Sequence, residues 1–311
     1  VRHPLTLEQL RVFVAVAERQ HMTRAAEALN LAQSAASAAV AGLEARYGTK
    51  LFDRVGRGIT LTEAGALFLA EARAVLARAE AAELVLSELG DLKRGTLAVQ
   101  ASQTIASYWL PRYLVAFRQA HPGIEIRLTI GNTAQVAAAV HEGAAELGFV
   151  EGVIADPALV AEQVARDRLV IVVGAGHPWA MGGRVLAGML PETDWVLREP
   201  GSGTRSVFEA ALAGFGLSHQ DLRVVLELPS NEAVRAAVEA GMGATALSAS
   251  VAAPSLEAGL LRTIDVPLPD RSFYVVRRAE RYRSRAAEAL LRLIRAPIGA
   301  PDSPVAGPRA S

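Results

Sequence analysis

Thr23-Arg24-Ala25-Ala26-Glu27-Ala28-Leu29-Asn30-Leu31-Ala32-Gln33-Ser34-Ala35-Ala36-Ser37 decides the reading of the N-terminal region. Residues 23–29 predict a short helix capped by Thr23, and Asn30-Leu31 predicts a turn. From Ala32 to Tyr47 a third helix follows, anchored by Ala36, Val40 and Leu43 and stopped at Gly48, where a left-handed cap is expected. Small residues at 25, 26 and 36 let two helices cross closely, while Gln33, Ser34 and Ser37 give the later helix a polar leading edge. Upstream, Thr6-Leu7-Glu8-Gln9 has the form of a capping box. Leu10, Phe13, Val14 and Ala17 continue it as one apolar helical face. Downstream, Leu51-Phe52-Asp53-Arg54, Gly56-Arg57-Gly58 and Ile59-Thr60-Leu61 read as strand, tip and strand. The first 60 residues therefore predict a winged helix-turn-helix.

Composition narrows the remainder. The chain has 311 residues, 51% of them hydrophobic and 21% charged, with 32 basic and 32 acidic side chains, so bulk charge selects no partner. Residues 1–60 carry a net charge of +3, a weak basic bias. Without cysteine there are no disulfides, thiolate metal sites or cysteine nucleophiles. The six histidines are scattered, none in a metal-ligand spacing, so neither a metal nor a cofactor is expected, and no enzyme. Residues 1–6 do not read as a signal peptide and no apolar run reaches about 20 residues, so the expectation is a cytoplasmic protein with no membrane partner.

Residues 61–91 form an unbroken helical run in which Phe68, Ala72, Val75, Ala79, Ala82, Leu86 and Leu89 make a heptad seam. Its expected role is dimerisation. From 92 to 296 short β-rich runs alternate with Ala-rich helical stretches, the pattern of a largely parallel α/β sheet. Residues 297–311 are rich in Pro, Gly and Ser and predict a disordered tail.

Several runs share one arrangement: Ser102, Gln103 and Thr104 after the strand at 97–101, Asn132 and Thr133 after 125–130, and Ser202, Gly203, Thr204 and Arg205 after 195–199. Ligands of open α/β sheets sit beyond the carboxyl ends of the strands. Hydroxyls at positive helix starts suit an anion, so a small anion or organic acid is the expected effector. Glu151, at the end of a third strand, opposes an anion unless a cation such as Arg205 pairs with it, or it accepts from a ligand hydroxyl. A neutral or amine ligand stays open on that ground.

Arg24-Ala25-Ala26-Glu27-Ala28-Leu29, Gln33-Ser34-Ala35-Ala36-Ser37, Leu43-Glu44, Leu51-Phe52-Asp53-Arg54 and Leu61-Thr62-Glu63-Ala64-Gly65, in that order and spacing, resemble the LysR-type transcriptional regulators. Residues 198–205, 101–105 and 228–232, with Asn231, resemble a subgroup whose members sense metabolites of sulfur assimilation or carbon fixation. The resemblance implies an antiparallel linker-helix dimer and a homotetramer on dyad-symmetric promoter DNA, with RNA polymerase a further candidate partner. It implies DNA contacts by Thr23, Arg24, Gln33, Ser34, Ser37, Arg54 and Arg57. It also implies a periplasmic-binding-protein-like sensor of two subdomains, 92–166 with 268–296 and 167–267, crossed near 165–168 and 266–269, with the effector between them. A solute-binding protein for transport would lack the head.

Overall fold

The computed structural model describes residues 5–55, 58–88, 95–152, 154–182, 184–279 and 283–296. The head opens with α1 (Leu7–Arg19), whose capping box is formed: Thr6 accepts from the Gln9 amide and the Gln9 side chain accepts from the Thr6 amide. α2 (Met22–Ala28) and α3 (Gln33–Tyr47) follow, α3 ending at Gly48 in the left-handed conformation. Val12, Val16, Ala25, Ala26, Ala36 and Val40 make the core where the three helices meet. Strands β1 (Phe52–Val55) and β2 (Gly58–Leu61) pair antiparallel as the wing. The α2 cap differs from expectation. His21, not Thr23, is the N-cap, its Nδ1 accepting from the Arg24 amide at 3.4 Å, and Thr23 sits inside the first turn.

Helix α4 (Glu63–Glu88) leaves the wing. Its seam divides by environment. Phe68 and Ala72 pack with Leu69 and Leu76 against Leu10, Phe13, Leu43 and Leu51 of the head, so this part of the seam completes the chain's own core rather than facing a partner. Leu67 (70% exposed), Val75 and Ala82 face outward. The side chain of Leu86, and Leu89 altogether, lie outside the described residues, as does the tail from 297.

Two five-stranded sheets follow. The first has the order β4-β3-β5-β12-β6, from β3 (Gly95–Ser102), β4 (Ile124–Gly131), β5 (Leu147–Glu151), β6 (Leu159–Asp167) and β12 (Arg271–Arg278). The second has the order β11-β7-β10-β8-β9, from β7 (Leu169–Gly174), β8 (Asp194–Arg198), β9 (Arg223–Leu228), β10 (Ala244–Ser248) and β11 (Leu261–Ile264). The chain passes from the first sheet to the second at Arg168 and returns between Ile264 and Arg271. The parallel expectation holds for β3 with β4 and β5, and for β8 with β9 and β10. It fails at the strands flanking the crossings: β12 runs antiparallel to β5 and β6, and β7 to β10 and β11. A strand that enters a sheet from the neighbouring subdomain arrives from the end where the other strands finish, so it runs against them.

Helices cover the sheets. On the first, α5 (Pro111–Ala120) and α10 (Arg285–Arg295) bury Phe117, Leu290 and Ile294 on one face, and α6 (Thr133–Glu142) buries Val136 and Val140 on the other. On the second, α7 (Gly203–Gly214) buries Phe208 and Leu212 against Trp195, while α8 (Asn231–Glu239) and α9 (Ala249–Glu257) cover the opposite face.

Candidate DNA interface and effector cleft

On the head, Thr23, Arg24, Gln33, Ser34 and Arg54 are exposed and Ser37 half-buried. Gln33 and Ser34 open α3 where Ala32 gives no side-chain cap, so the free amides of that turn face outward with them. Gln33 Nε2 donates to Ser37 Oγ at 3.1 Å, which fixes both side chains on one helical face. A groove of about 650 Å³ runs between α3 and the wing, lined by Gln33, Ser37, Lys50, Asp53 and Arg54 among others. The wing is held from α3 by Glu44, whose Oε1 accepts from the Leu51 and Phe52 amides at 2.8 and 3.2 Å and whose Oε2 meets Lys50 at 3.0 Å. Burial works to raise the Glu44 pKa. The backbone donors and Lys50 outweigh it and hold the carboxyl below its ordinary value. Arg57 lies outside the described residues.

In the sensor, the strand ends of the two sheets face one another and most of the sequence-predicted polar residues meet there. Gln103 reaches across: its Oε1 accepts from the Asn231 amide at 2.7 Å, and its Nε2 donates to Glu232 at 2.6 Å. Thr104 Oγ1 accepts from Asn231 Nδ2 at 3.0 Å, and Arg198 donates to Asn231 Oδ1 at 2.6 Å. Asn132 caps α6 and also donates to Glu199 at 3.2 Å. Desolvation works to raise the Glu199 pKa, but its paired hydrogen bonds from Arg198 and that from Asn132 keep it below the ordinary carboxylate range. Ser202 caps α7, its Oγ accepting from the Arg205 amide. At Gly203 the subdomains touch: a Cβ there would lie 2.5 Å from Thr133 Oγ1 and 2.9 Å from Glu151 Oε2.

One sequence expectation changes at this site. Arg205 does not face Glu151. Its guanidinium is committed to Glu209 at 2.8 Å, Glu227 at 2.6 Å and the Arg198 carbonyl at 3.0 Å, on the far side of α7's first turn. The helix after Ser102 opens with Gln103 and Thr104 in α-helical conformation and widens to a π-helical turn at Ile105–Trp109, and Thr104 makes no cap hydrogen bond.

The cation beside Glu151 is Arg271, which sequence reasoning missed. Its Nε donates to Asp167 Oδ2 at 2.7 Å, its Nη1 to Thr204 Oγ1 at 3.0 Å, and its Nη2 lies 4.0 Å from Glu151 Oε1. Asp167 also accepts from Ser248 of the second subdomain at 3.0 Å. Asp167 closes β6 just before one crossing and Arg271 opens β12 just after the other, so one buried ion pair joins both crossings. Opposite charges at the edges of the two crossing segments were the available signal. Arg271 Nη2 also lies 2.6 Å from Asp167 Oδ2, so the guanidinium is committed to that carboxylate, while Ser102 Oγ is buried without a hydrogen-bond partner. Buried polar atoms are nearly always satisfied, which sets Ser102 apart from the other cleft side chains.

A winged helix-turn-helix joined by a long helix to a bilobal polar cleft defines a DNA-binding regulator with a ligand-sensing domain. The comparisons name the family. A model of the bacterial regulatory helix-turn-helix proteins of the lysR family matches residues 7–66, and one of the LysR substrate binding domain matches residues 90–297. The chain belongs to the LysR family. It is 35% identical over 92% of its length to the uncharacterized HTH-type transcriptional regulator YeiE of Escherichia coli K12, covering 96% of that protein. To the HTH-type transcriptional regulator CbbR of Rhodospirillum rubrum it is 34% identical over 95% of its length and 98% of the relative. Full-length CbnR, solved with its target DNA, shares the fold with a TM-score of 0.67 at 23% identity, covering 94% of this chain and 98% of that one. The regulatory domain of Synechocystis PCC6803 CcmR in complex with 2-PG superposes with a TM-score of 0.59 at 27% identity, covering 65% of this chain and 96% of that one.

Proposed function

We propose that the protein adjusts transcription when a small anion or organic acid occupies the cleft between its two sensor subdomains. The observation that carries this reading is the buried Ser102 hydroxyl, left without a partner where polar side chains and a buried arginine from both subdomains meet. The CcmR regulatory domain, solved in complex with 2-PG, supports an acidic metabolite as the class. Thr104, Asn132, Thr133, Ser202, Thr204 and Asn231 serve as cleft residues in this reading. Arg205 holds α7 in place and Arg271 takes the charged role.

The working units are a DNA-binding head at 1–60, a linker at 61–91 and a sensor at 92–296. Gln33, Ser34 and Ser37 read base edges in the major groove, while Thr23, Arg24, Arg54 and Arg57 meet phosphates. Two heads on one dyad require a dimer, for which the outward residues of α4, Leu67 and Val75, supply apolar surface; a dimer of such dimers gives the tetramer. The protein works in the cytoplasm by binding rather than by catalysis.

Calorimetric titration and thermal melting of the full chain with sulfate, phosphate, 2-phosphoglycolate and simple carboxylates test the effector class. At a hundredfold excess over Kd, a ligand adds about 2.7 kcal/mol, a rise of roughly 5–10 °C for a unit of this size. A selective rise with an acid, lost in Thr204→Val, is the expected result. No response to any anion refutes the class.

A further inference from the structure

Glu151 is 2% exposed, yet its carboxylate is short of donors. Thr133 Oγ1 stands 3.5 Å from Oε2, Arg271 Nη2 stands 4.0 Å from Oε1, and no closer hydrogen bond or ion pair reaches it among the described residues. An ionised carboxylate offers about four acceptor positions, and burying it without donors is costly. The same cleft holds a second unmet group, since Ser102 Oγ is buried without a partner, while Arg271 Nη2 lies 2.6 Å from Asp167 Oδ2. Asp167 and Glu151 both face Arg271, so the guanidinium is already engaged by protein carboxylates where a plain anion would enter.

From these paired deficits we infer that the effector is an acid carrying a hydrogen-bond donor, a hydroxyl or an ammonium, next to its anionic group. The anionic group accepts from Ser102, and the donor meets Glu151. This inference rests on the anion-effector reading and refines it. A plain dianion satisfies Ser102 but is pressed against the Glu151 carboxylate. A neutral amine satisfies Glu151 and leaves the Ser102 hydroxyl without an acceptor. Only a ligand with both functions fills both gaps. Gly203 explains why the geometry is close: with no Cβ there, α7 comes within contact of Glu151 and Thr133, so the donor has no room to turn elsewhere once the subdomains approach.

The test titrates the full chain with three acids of one skeleton: 3-phosphoglycerate, which carries a hydroxyl, O-phosphoserine, which carries an ammonium, and 3-phosphooxypropionate, which carries neither. Lactate, alanine and propionate repeat the series at smaller size. The expected result is that one donor-bearing acid binds at least tenfold tighter than its unsubstituted analogue. Glu151→Gln and Glu151→Met, checked for native melting, then identify the donor. A glutamine oxygen still accepts from a hydroxyl, so a hydroxyl preference survives in Glu151→Gln and disappears in Glu151→Met. An ammonium preference disappears in both. Equal binding of all three acids, or a preference untouched by Glu151→Met, overturns the inference while leaving an anion effector in place. Binding of no acid in either series, with sulfate and 2-phosphoglycolate also inert, overturns both readings.

Discussion

Replacing Arg271 by Met removes the charge that joins the two crossings while keeping an unbranched side chain of similar reach. The wild-type guanidinium is almost completely buried, as are Glu151 and Asp167. In the variant Asp167 retains only the Ser248 hydroxyl, and Glu151 only that of Thr133. Thr204 loses its donor. Breaking a buried pair by removing one partner costs about 3–5 kcal/mol, because the remaining charge stays desolvated. A unit of the sensor's size loses roughly 2–4 °C per kcal/mol, so the sensor transition should fall by about 6–20 °C in scanning calorimetry. Asp167→Asn should recover part of that loss when combined with Arg271→Met, since the uncompensated charge goes with it. The double variant would then be less destabilised than the two single changes added together. An Arg271→Met protein melting within about 2 °C of wild type would refute the reasoning, because it would mean the two carboxylates already reach water.

The head and the cleft give further expectations. Gln33→Ala and Ser34→Ala, both on exposed positions, should each cost about 1–3 kcal/mol of specific promoter affinity by fluorescence anisotropy without lowering the melting temperature; normal binding by both would remove α3 from the major groove. Glu44→Gln should loosen the wing by about 1–3 kcal/mol, read as faster hydrogen exchange at Leu51 and Phe52. Because the Glu44 pKa is depressed in the folded chain, its contribution is present above the ordinary carboxylate value and is lost as pH falls through the lowered one. The same amides should therefore lose protection in acid in wild type, and an acid-insensitive wing would count against the Glu44 bracket. Gly203→Ala should hinder approach of the subdomains, since the added carbon would meet Thr133 Oγ1 at 2.5 Å; by small-angle scattering this variant should stay open with saturating effector.

Local rules carried much of the fold. The capping box at Thr6, the stop at Gly48 and the wing around residues 56–58 depend on neighbours within a few positions, and such signals are written contiguously. The placement of Phe68 and Ala72 was not legible in the same way. A spacing of 3 and 4 shows that a helix has an apolar face but not whether that face meets its own domain or a second chain. His21 took the cap from Thr23 because a ring nitrogen reached the Arg24 amide first, which no preference scale would favour. In the cleft, hydroxyls and amides at strand ends were visible because the α/β pattern locates strand ends. Arg271 was not, because its partner Asp167 is 104 positions away. The misreading of Arg205 was avoidable. Glu209 stands four residues on, a spacing that pairs charges on any helix face.

Helix α6 has one end in each half of the protein's working parts. Asn132 and Thr133 begin it in the cleft, where they touch Glu199 and Glu151. Its ten residues, a rod of roughly 15 Å, end at Glu142, 3.5 Å from Arg73 of α4. The same Arg73 holds Glu18 of α1 at 3.1 Å. Val136 and Val140 root α6 in the first sheet, so it cannot slide alone and turns only with the whole subdomain. Any tilt imposed at its cleft end therefore has to be absorbed at its far end, either by carrying the linker and head along or by parting Glu142 from Arg73. The helix works as a tiller, with its handle in the cleft and its blade against the helix that aims the DNA-binding head.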